Sequence, residues 1–124
     1  MSGVVTFIAP PPGLSPLVDF ELEPVDDADG LYTLRAHRAP DIRLFVIDAP
    51  VYLPDYKPEV SVEQLESIGA AGTSDVRVLV VTTLNEEGPS ANLMAPIFMH
   101  ATSGEATQVI LAGDDWPLRM PLGA

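Results

Sequence analysis

Residues 90–99, with the sequence S-A-N-L-M-A-P-I-F-M, place the strongest constraint on how this chain can fold. Read as a strand with a side-chain period of two, the stretch puts five apolar residues on one face, which must then be buried. These residues are Ala91, Leu93, Ala95, Ile97 and Met99. Pro96 has no amide hydrogen and holds the residue before it extended, so we expect a sheet edge or a bulge here. Such an edge is either covered within the chain or used to dock another chain.

Most of the remaining chain also reads as short strands. Residues 17–23 alternate, with Val18, Phe20 and Leu22 on one face and three carboxylates on the other. Runs of β-branched and apolar residues predict further strands at residues 4–8, 31–36, 42–49, 76–84 and 107–112. The last two of these, together with residues 90–99, should form a three-strand antiparallel meander.

A single helix is predicted, near residues 61–68. Ser61 and Gln64 have the spacing of a capping box, in which each side chain accepts a hydrogen bond from the other residue's backbone amide. Gly69 is placed to end the helix. Six or seven strands and one short helix in 124 residues predict an all-β, mainly antiparallel fold, a small closed or nearly closed barrel or sandwich. We expect one domain over residues 1–124.

Composition excludes several classes of function. With no cysteine, the chain has neither disulfides nor a thiolate metal site. A formal net charge of −12 argues against direct binding to nucleic acid or to an anionic membrane, and it either only maintains solubility or speeds the encounter with a basic partner. No apolar stretch approaches the roughly 20 residues that span a bilayer, and the first residues lack a secretory signal. We therefore expect a cytoplasmic protein.

The motifs that would indicate catalysis or a cofactor are missing. His37 and His100 are far apart and have no metal-ligand spacing. The acidic turn at residues 26–30 lacks the glutamate that closes a calcium loop. The carboxylate pairs at residues 86–87 and 114–115 read as solvated turns, whereas acid–base catalysis needs one desolvated carboxylate. We predict no enzyme activity, no cofactor and no metal ion.

Two sets of residues are candidates for binding a protein. Asp19, Glu21 and Glu23 form an acidic ridge on the polar face of residues 17–23, which is either a solvated outer face or a stripe for a basic partner. Trp116 and Arg119 are residue types that anchor interfaces. The alternative for these two is that Trp116 plugs one end of the barrel while Arg119 pairs with a nearby carboxylate.

Two other classes of function stay open at this point. A small barrel could bind a low-molecular-weight ligand or a metal ion in its mouth, with Tyr52, Tyr56 and Trp116 as stacking surfaces. A hydrolase would use Asp114 or Asp115 together with a histidine. The first requires a deep pocket lined by those aromatics, and the second requires the side chains to converge.

Several stretches together resemble the FliW family of bacterial flagellar assembly factors. They are residues 90–97 (S-A-N-L-M-A-P-I), 108–111 (Q-V-I-L) and 116–122 (W-P-L-R-M-P-L), with weaker similarity at Gly13-Leu14 and Phe20-Glu21-Leu22. They occur in the family's order over nearly the whole chain. Trp116 stands where the family usually has tyrosine, and His100 where it has asparagine.

The resemblance implies a regulator without enzymatic activity. FliW-like proteins bind CsrA, a dimeric repressor of flagellin translation, and also bind flagellin, so that free flagellin releases CsrA and lowers its own synthesis. On this reading the contact surface is either the acidic ridge or the edge that contains Asn92, Met94 and Pro96, together with Trp116 and Arg119. The expected partners are a CsrA-like RNA-binding protein and flagellin.

Overall fold

The computed structural model describes residues 3–11, 13–85, 88–111, 116–117 and 119–122. Within these residues the chain forms nine strands, which are β1 (Gly3–Phe7), β2 (Asp19–Pro24), β3 (Leu31–Ala36), β4 (Arg43–Asp48), β5 (Val76–Asn85), β6 (Gly88–Ala91), β7 (Ile97–His100), β8 (Glu105–Gln108) and β9 (Met120–Pro121). Two short helices, α1 (Ala49–Tyr52) and α2 (Val62–Ser67), and a 3₁₀ turn at Thr73–Asp75 lie between β4 and β5.

Seven of these strands close a barrel in the order β1-β2-β3-β4-β5-β7-β8. All neighbours are antiparallel except β8 and β1, whose parallel pairing closes the ring. Strands β6 and β9 extend the sheet beyond β5. The predicted all-β, mainly antiparallel closed barrel is confirmed. No helix among the described residues is long and apolar enough to cross a membrane.

The barrel interior is filled by side chains. Phe7 and Phe20 pack edge to face with ring centroids 5.4 Å apart, a favourable arrangement for aromatic rings. Around them lie the buried residues Val5, Leu22, Tyr32, Leu34, Ala36, Val46, Leu79, Ile97, Met99 and Ala106. Since the inward residues of β2 alternate with its carboxylates, the predicted two-faced pattern of this strand is confirmed.

Strands β4, β5 and β7 are covered on their outer side as well. Next to the inward Val46 and Leu79, the outward Ile47 and Val80 are also buried, because Tyr56 and Leu93 pack over them. Further along the wall, Ile68, Ala70 and Phe98 form another buried cluster beneath α2. The predicted strand at residues 42–49, apolar on both faces, is thus β4, which has neighbours on both edges.

The expected interruption of residues 90–99 near Pro96 is confirmed, because residues 92–96 leave the sheet between β6 and β7. Strands β6 and β7 follow each other along the same edge of β5. Their ends Ala91 and Ile97 pair with Thr82 and Leu79, so the chain accommodates three extra residues there. Pro96, which cannot donate a backbone hydrogen bond, lies in this interruption. The five apolar residues are all buried as predicted, but they do not share one face, because Ala91 and Leu93 join the outer cluster with Tyr56 whereas Ile97 and Met99 join the barrel core.

The predicted helix is confirmed as α2, and its capping box forms. The Gln64 amide donates to Ser61 Oγ at 3.1 Å, and the Ser61 amide donates to Gln64 Oε1 at 2.8 Å. Gly69 follows the helix with φ of +72°, which glycine adopts without strain. Two details differ from the expectation. Helix α1, a single turn starting before Pro50, is present in addition to the one predicted helix, and β8 ends at residue 108 rather than 112.

Candidate protein-recognition surface

The loop of residues 92–96, which interrupts the sheet, is held by hydrogen bonds along its length. Asn92 Oδ1 accepts from the Met94 amide at 3.0 Å, and this Asx turn fixes the start of the loop. The Met94 carbonyl accepts from the Leu111 amide at 2.7 Å, and the Pro96 carbonyl accepts from the Val109 amide at 3.0 Å. The loop is therefore a preorganised surface feature.

Asn92 and Met94 border a mostly apolar groove at one end of the barrel. The groove has a volume of about 370 Å³ and is lined by Pro11, Leu14, Leu44, Val81, Asn92, Met94, Ala95, Gln108 and Ile110. Its rim residue Ile110 is 67% exposed. The side chain of Gln108 is fixed by donating from Nε2 to the Ala95 carbonyl at 3.0 Å. Asn92 and Met94 are thus partly exposed beside an apolar depression into which a partner side chain could fit.

Pro96, the third candidate on this edge, is fully buried. It presents no surface to a partner. A partner contact at Pro96 would therefore be indirect, through the position that this ring gives to the loop.

Trp116 packs against the outside of the barrel wall. Its ring meets that of Tyr56 edge to face, with centroids 4.7 Å apart, above the cluster that contains Ile47 and Val80. The alternative that Trp116 plugs one end of the barrel is wrong, because the residues beneath it face outward from the sheet. The indole stays partly exposed and borders a second groove together with Lys57 and Leu111.

Tyr56 and a backbone bond join Trp116 to the loop. The Tyr56 hydroxyl donates to the Leu93 carbonyl at 2.5 Å, and the Leu93 amide donates to the Pro117 carbonyl at 3.1 Å. Burial raises the pKa of the Tyr56 hydroxyl, so this group stays a protonated donor at ordinary pH. The structure therefore brings residues 92–96 and Trp116 together, as the sequence hypothesis grouped them. Nothing in the spacing indicated Tyr56 as the connection, since a tyrosine among prolines reads as a loop residue.

Arg119 is exposed beside β9, which pairs with β6 through Met120 and Ala91. In the described ranges no carboxylate lies within 4.0 Å of its guanidinium, so the alternative in which Arg119 forms an ion pair gains no support from them.

The acidic ridge lies on another part of the barrel wall, on the outer face of β2. Asp19 Oδ1 accepts from Thr6 Oγ1 at 3.3 Å, and Glu21 Oε2 lies 3.3 Å from His37 Nε2. Glu23 is exposed. Because β1 and β8 separate β2 from β7 in the sheet, the ridge and the 92–96 loop are two distinct surfaces.

A ligand site in the barrel mouth is not supported. The interior is packed with side chains, and the three aromatics proposed as stacking surfaces do not converge. Tyr56 and Trp116 contact each other, whereas Tyr52 lines a different groove together with Val51 and Leu31.

Each of the two histidines contacts neighbouring residues of the barrel. His37 contacts Glu21, and His100 Nδ1 accepts from the amides of Thr102 and Ser103 at 3.1 and 3.2 Å, which holds the β7–β8 turn. Among the described residues no three His, Asp or Glu side chains are grouped to hold a metal ion. The carboxylate pairs at 86–87 and 114–115 lie outside those residues.

Comparison with known proteins agrees with this architecture. The structure superposes on a crystal structure of the flagellar assembly factor FliW with a TM-score of 0.86 and 24% sequence identity. The superposition covers 95% of this chain and 84% of that chain. That likeness concerns the fold. The flagellar assembly factor FliW of Shouchella clausii (strain KSM-K16) is 28% identical over 121 residues, 96% of this chain and 83% of that protein.

The flagellar assembly factor FliW 2 of Desulfotalea psychrophila (strain LSv54 / DSM 12343) is 30% identical over 111 residues, 89% of this chain and 74% of that protein. The model of the family described as FliW protein matches residues 1–122. With the match running over nearly its whole length, this chain belongs to the FliW family.

Proposed function

We propose that this chain is a regulator in flagellar assembly that acts by binding other proteins and catalyses no reaction. It binds and antagonises a CsrA-like RNA-binding protein, and it binds flagellin, so that the flagellin level controls flagellin translation. The observation that carries this proposal is the family match over residues 1–122. The relatives are named for flagellar assembly, a process that requires protein partners.

The charge of the chain supports the first of these partners. A protein that binds RNA presents lysines and arginines to phosphate, and a chain with a formal charge of −12 is attracted to such a surface. Once docked, its negative field opposes the approach of RNA. A coupling free energy of about 1–3 kcal/mol between the two binding events would lower RNA affinity by roughly 5- to 150-fold.

Two surfaces are proposed to contact partners. One is the acidic ridge of Asp19, Glu21 and Glu23. The other is the edge formed by Asn92 and Met94 with Trp116 and Arg119, where Pro96 acts only by shaping the loop. The edge offers partly exposed apolar side chains on a hydrogen-bonded loop, the arrangement that gives interfaces their anchor residues.

Titration calorimetry with purified CsrA and purified flagellin from the same organism tests the proposal. Both proteins should bind with a Kd of about 10 µM or tighter, and added flagellin should displace CsrA. A flagellin-leader RNA should show no affinity for this chain at physiological salt. If neither CsrA nor flagellin binds with a Kd of about 10 µM or tighter, the proposed function is wrong, although family membership would stand.

Matched variants distinguish the two surfaces. The triple variant Asp19→Asn/Glu21→Gln/Glu23→Gln removes the ridge charges. Its control, Glu59→Gln/Glu63→Gln/Glu66→Gln, removes the same number of exposed carboxylates around α2. If the ridge holds CsrA, only the first variant weakens binding, by about tenfold, and its salt dependence falls.

The edge is tested separately by Met94→Ser, with Ile8→Ser as the control because Ile8 is 50% exposed and does not line the groove that Met94 borders. If the edge is a contact surface, Met94→Ser weakens binding of CsrA or flagellin by about tenfold while Ile8→Ser leaves it unchanged. Equal effects of the two changes would exclude the edge.

A further inference from the structure

The outer face of the β3–β4 hairpin carries an unexpected concentration of positive charge. Of the six lysines and arginines in the chain, three are the exposed Arg35, Arg38 and Arg43 of this hairpin. Arg35 and Arg43 are direct cross-strand partners, so two like charges face each other. This arrangement destabilises a sheet. In a chain with a formal charge of −12, its placement calls for an explanation other than folding.

No carboxylate forms an ion pair with this arginine pair in the described part of the chain. Glu21 is the cross-strand neighbour of Arg35, but its carboxylate contacts His37. Throughout the described ranges, no carboxylate oxygen comes within 4.0 Å of the Arg35, Arg38 or Arg43 guanidinium. Arg43 instead lies over the ring of Phe45, 5.2 Å from its centroid. The guanidinium groups of the pair are therefore free to meet an anionic group from outside.

Phe45 connects the arginine pair to an apolar groove. The groove has a volume of about 540 Å³ and lies on the outer face between β4, β6 and α1, lined by Leu31, Phe45, Ile47, Val51, Tyr52, Thr82, Pro89 and Leu122. On its rim Val51 is 55% exposed and Tyr52 is 40% exposed. Since Phe45 belongs to both features, charge and apolar surface form one continuous patch.

Thr82 adds a polar group to this patch. Its side-chain oxygen is buried, and no hydrogen-bond partner for it lies within the described residues. A buried hydroxyl without a hydrogen-bond partner is unfavourable. An occupant that brings a polar atom to the floor of the groove would relieve this.

We propose that this patch, the arginine-groove surface, binds an amphipathic segment of a protein partner. Apolar side chains of the segment fill the groove, and its carboxylates pair with Arg35 and Arg43. Charge complementarity selects this occupant. A nucleic acid would meet the net negative charge and would leave the apolar groove empty, and a second copy of this chain would add another charge of −12.

Peptide selection tests this inference even though the partner is unidentified. A phage-displayed library of random 12-residue peptides is first depleted on the Arg35→Gln/Arg43→Gln variant and then selected on the wild-type chain. The recovered peptides should combine Asp or Glu with Leu, Ile, Phe or Trp. This outcome is diagnostic because the net charge of the chain by itself favours basic peptides.

Variants then separate the two halves of the surface. Binding of a recovered synthetic peptide, measured by fluorescence anisotropy, should weaken about tenfold in Arg35→Gln/Arg43→Gln and about tenfold in Val51→Ser/Tyr52→Ser. Lys57→Gln, which removes one exposed positive charge that belongs neither to this surface nor to the proposed edge, should change binding less than about twofold. All substituted side chains are exposed, so far-ultraviolet circular dichroism should match the wild type, and thermal unfolding should match it too, except that Arg35→Gln/Arg43→Gln, which removes the like-charge pair, should unfold at an equal or slightly higher temperature.

Several outcomes would overturn the proposal. One is failure of the depleted library to enrich, or enrichment of peptides without carboxylates. Another is peptide binding that ignores Val51→Ser/Tyr52→Ser, which would reduce the surface to a simple anion site. Two further results would argue for a different occupant: binding of a labelled single-stranded RNA 12-mer, or formation of a dimer detected by sedimentation, if either is abolished in Arg35→Gln/Arg43→Gln.

Discussion

Strands β2 and β5 show two ways in which the wall of this barrel meets its surroundings. In β2, buried Phe20 and Leu22 alternate with the carboxylates of Glu21 and Glu23, so that one face is packed and the other is solvated. In β5, the neighbours Leu79 and Val80 are both fully buried although they point to opposite faces. The inward residue joins the barrel core, and the outward residue joins a cluster beneath Tyr56 and Leu93.

This difference between β2 and β5 explains where the apolar recognition surfaces lie. A strand that is apolar on both faces needs a second layer, and here that layer consists of two short helices and the connecting loops rather than another sheet. Short elements cover the wall incompletely. Trp116 and the apolar groove beside Tyr52 lie at positions that this outer layer covers only in part. The outer face of β2, by contrast, offers only charge.

The largest expected effect comes from removing a core ring on each side of the wall. Phe20→Ala empties a site enclosed by the barrel, which cannot collapse, and should lower the free energy of unfolding by about 4 kcal/mol. Phe98→Ala empties a site covered by α2, a helix short enough to move inward, and should lower it by about 3 kcal/mol. Urea unfolding followed by circular dichroism measures both values.

The comparison of the two sides of the barrel wall predicts that Phe20→Ala destabilises the chain more than Phe98→Ala does. If Phe98→Ala is the more destabilising change, the outer layer is as rigid as the barrel interior. Ile8→Ser, at a half-exposed position, serves as a control and should shift the unfolding free energy by less than about 0.5 kcal/mol.

The next effect concerns the bond that ties the cover to the interrupted sheet. Tyr56→Phe removes the hydroxyl that donates to the Leu93 carbonyl and should lower the free energy of unfolding by about 1.5 kcal/mol. Because burial raises the pKa of this hydroxyl, the folded state holds its proton more tightly than the unfolded state does. Wild-type stability should therefore fall as the pH rises above about 10, and this component of the loss should be absent from Tyr56→Phe.

A comparison of unfolding curves at pH 8 and at a pH above 10 measures that component. Equal alkaline losses in wild type and Tyr56→Phe would mean that the hydroxyl is not buried against the Leu93 carbonyl in solution. Tyr52→Phe is the matched control, since Tyr52 is 40% exposed and should show neither effect.

The barrel could be predicted from sequence because its strands follow local rules. The alternation in β2 and the capping box of Ser61 and Gln64 each depend on residues close in sequence, and both are present. In residues 90–99 the interruption near Pro96 could be expected, but the single apolar face predicted for this stretch is lost for a non-local reason. Residues 91, 93, 95, 97 and 99 are apolar, but the ten residues 90–99 lie opposite only seven residues of β5, from Arg77 to Thr83, and residues 92–96 leave the sheet.

The candidate surfaces were less predictable than the fold. The sequence grouped Asn92, Met94 and Trp116, and the structure brings their segments together. It gave no sign that Pro96 would be buried, since burial depends on which segment crosses above it. The pairing of Arg35 with Arg43 was equally hidden, because two strands must be aligned in register before like charges meet.

A smaller effect is expected at the N-terminus of α2. Ser61→Ala removes the side-chain acceptor for the Gln64 amide and should lower the free energy of unfolding by about 1 kcal/mol. Ser74→Ala, at an exposed position outside the helix, is the control. Hydrogen exchange at the Gln64 amide should accelerate in Ser61→Ala alone. Unchanged exchange at that amide would show that packing of Ile68, rather than the cap, holds the helix.

The smallest effect is expected on the open face of β2. His37 and Glu21 form an ion pair only when the imidazole is protonated, and their side chains are 39% and 46% exposed. An ion pair so accessible to water contributes little, so His37→Gln should change the free energy of unfolding by no more than about 0.5 kcal/mol at pH 6. The measurement is repeated in 1 M salt, which screens the remaining attraction between the imidazolium and the carboxylate. A loss above 1 kcal/mol that persists in salt would mean that the outer face of β2 is shielded from solvent, and the contrast between β2 and β5 would then be lost.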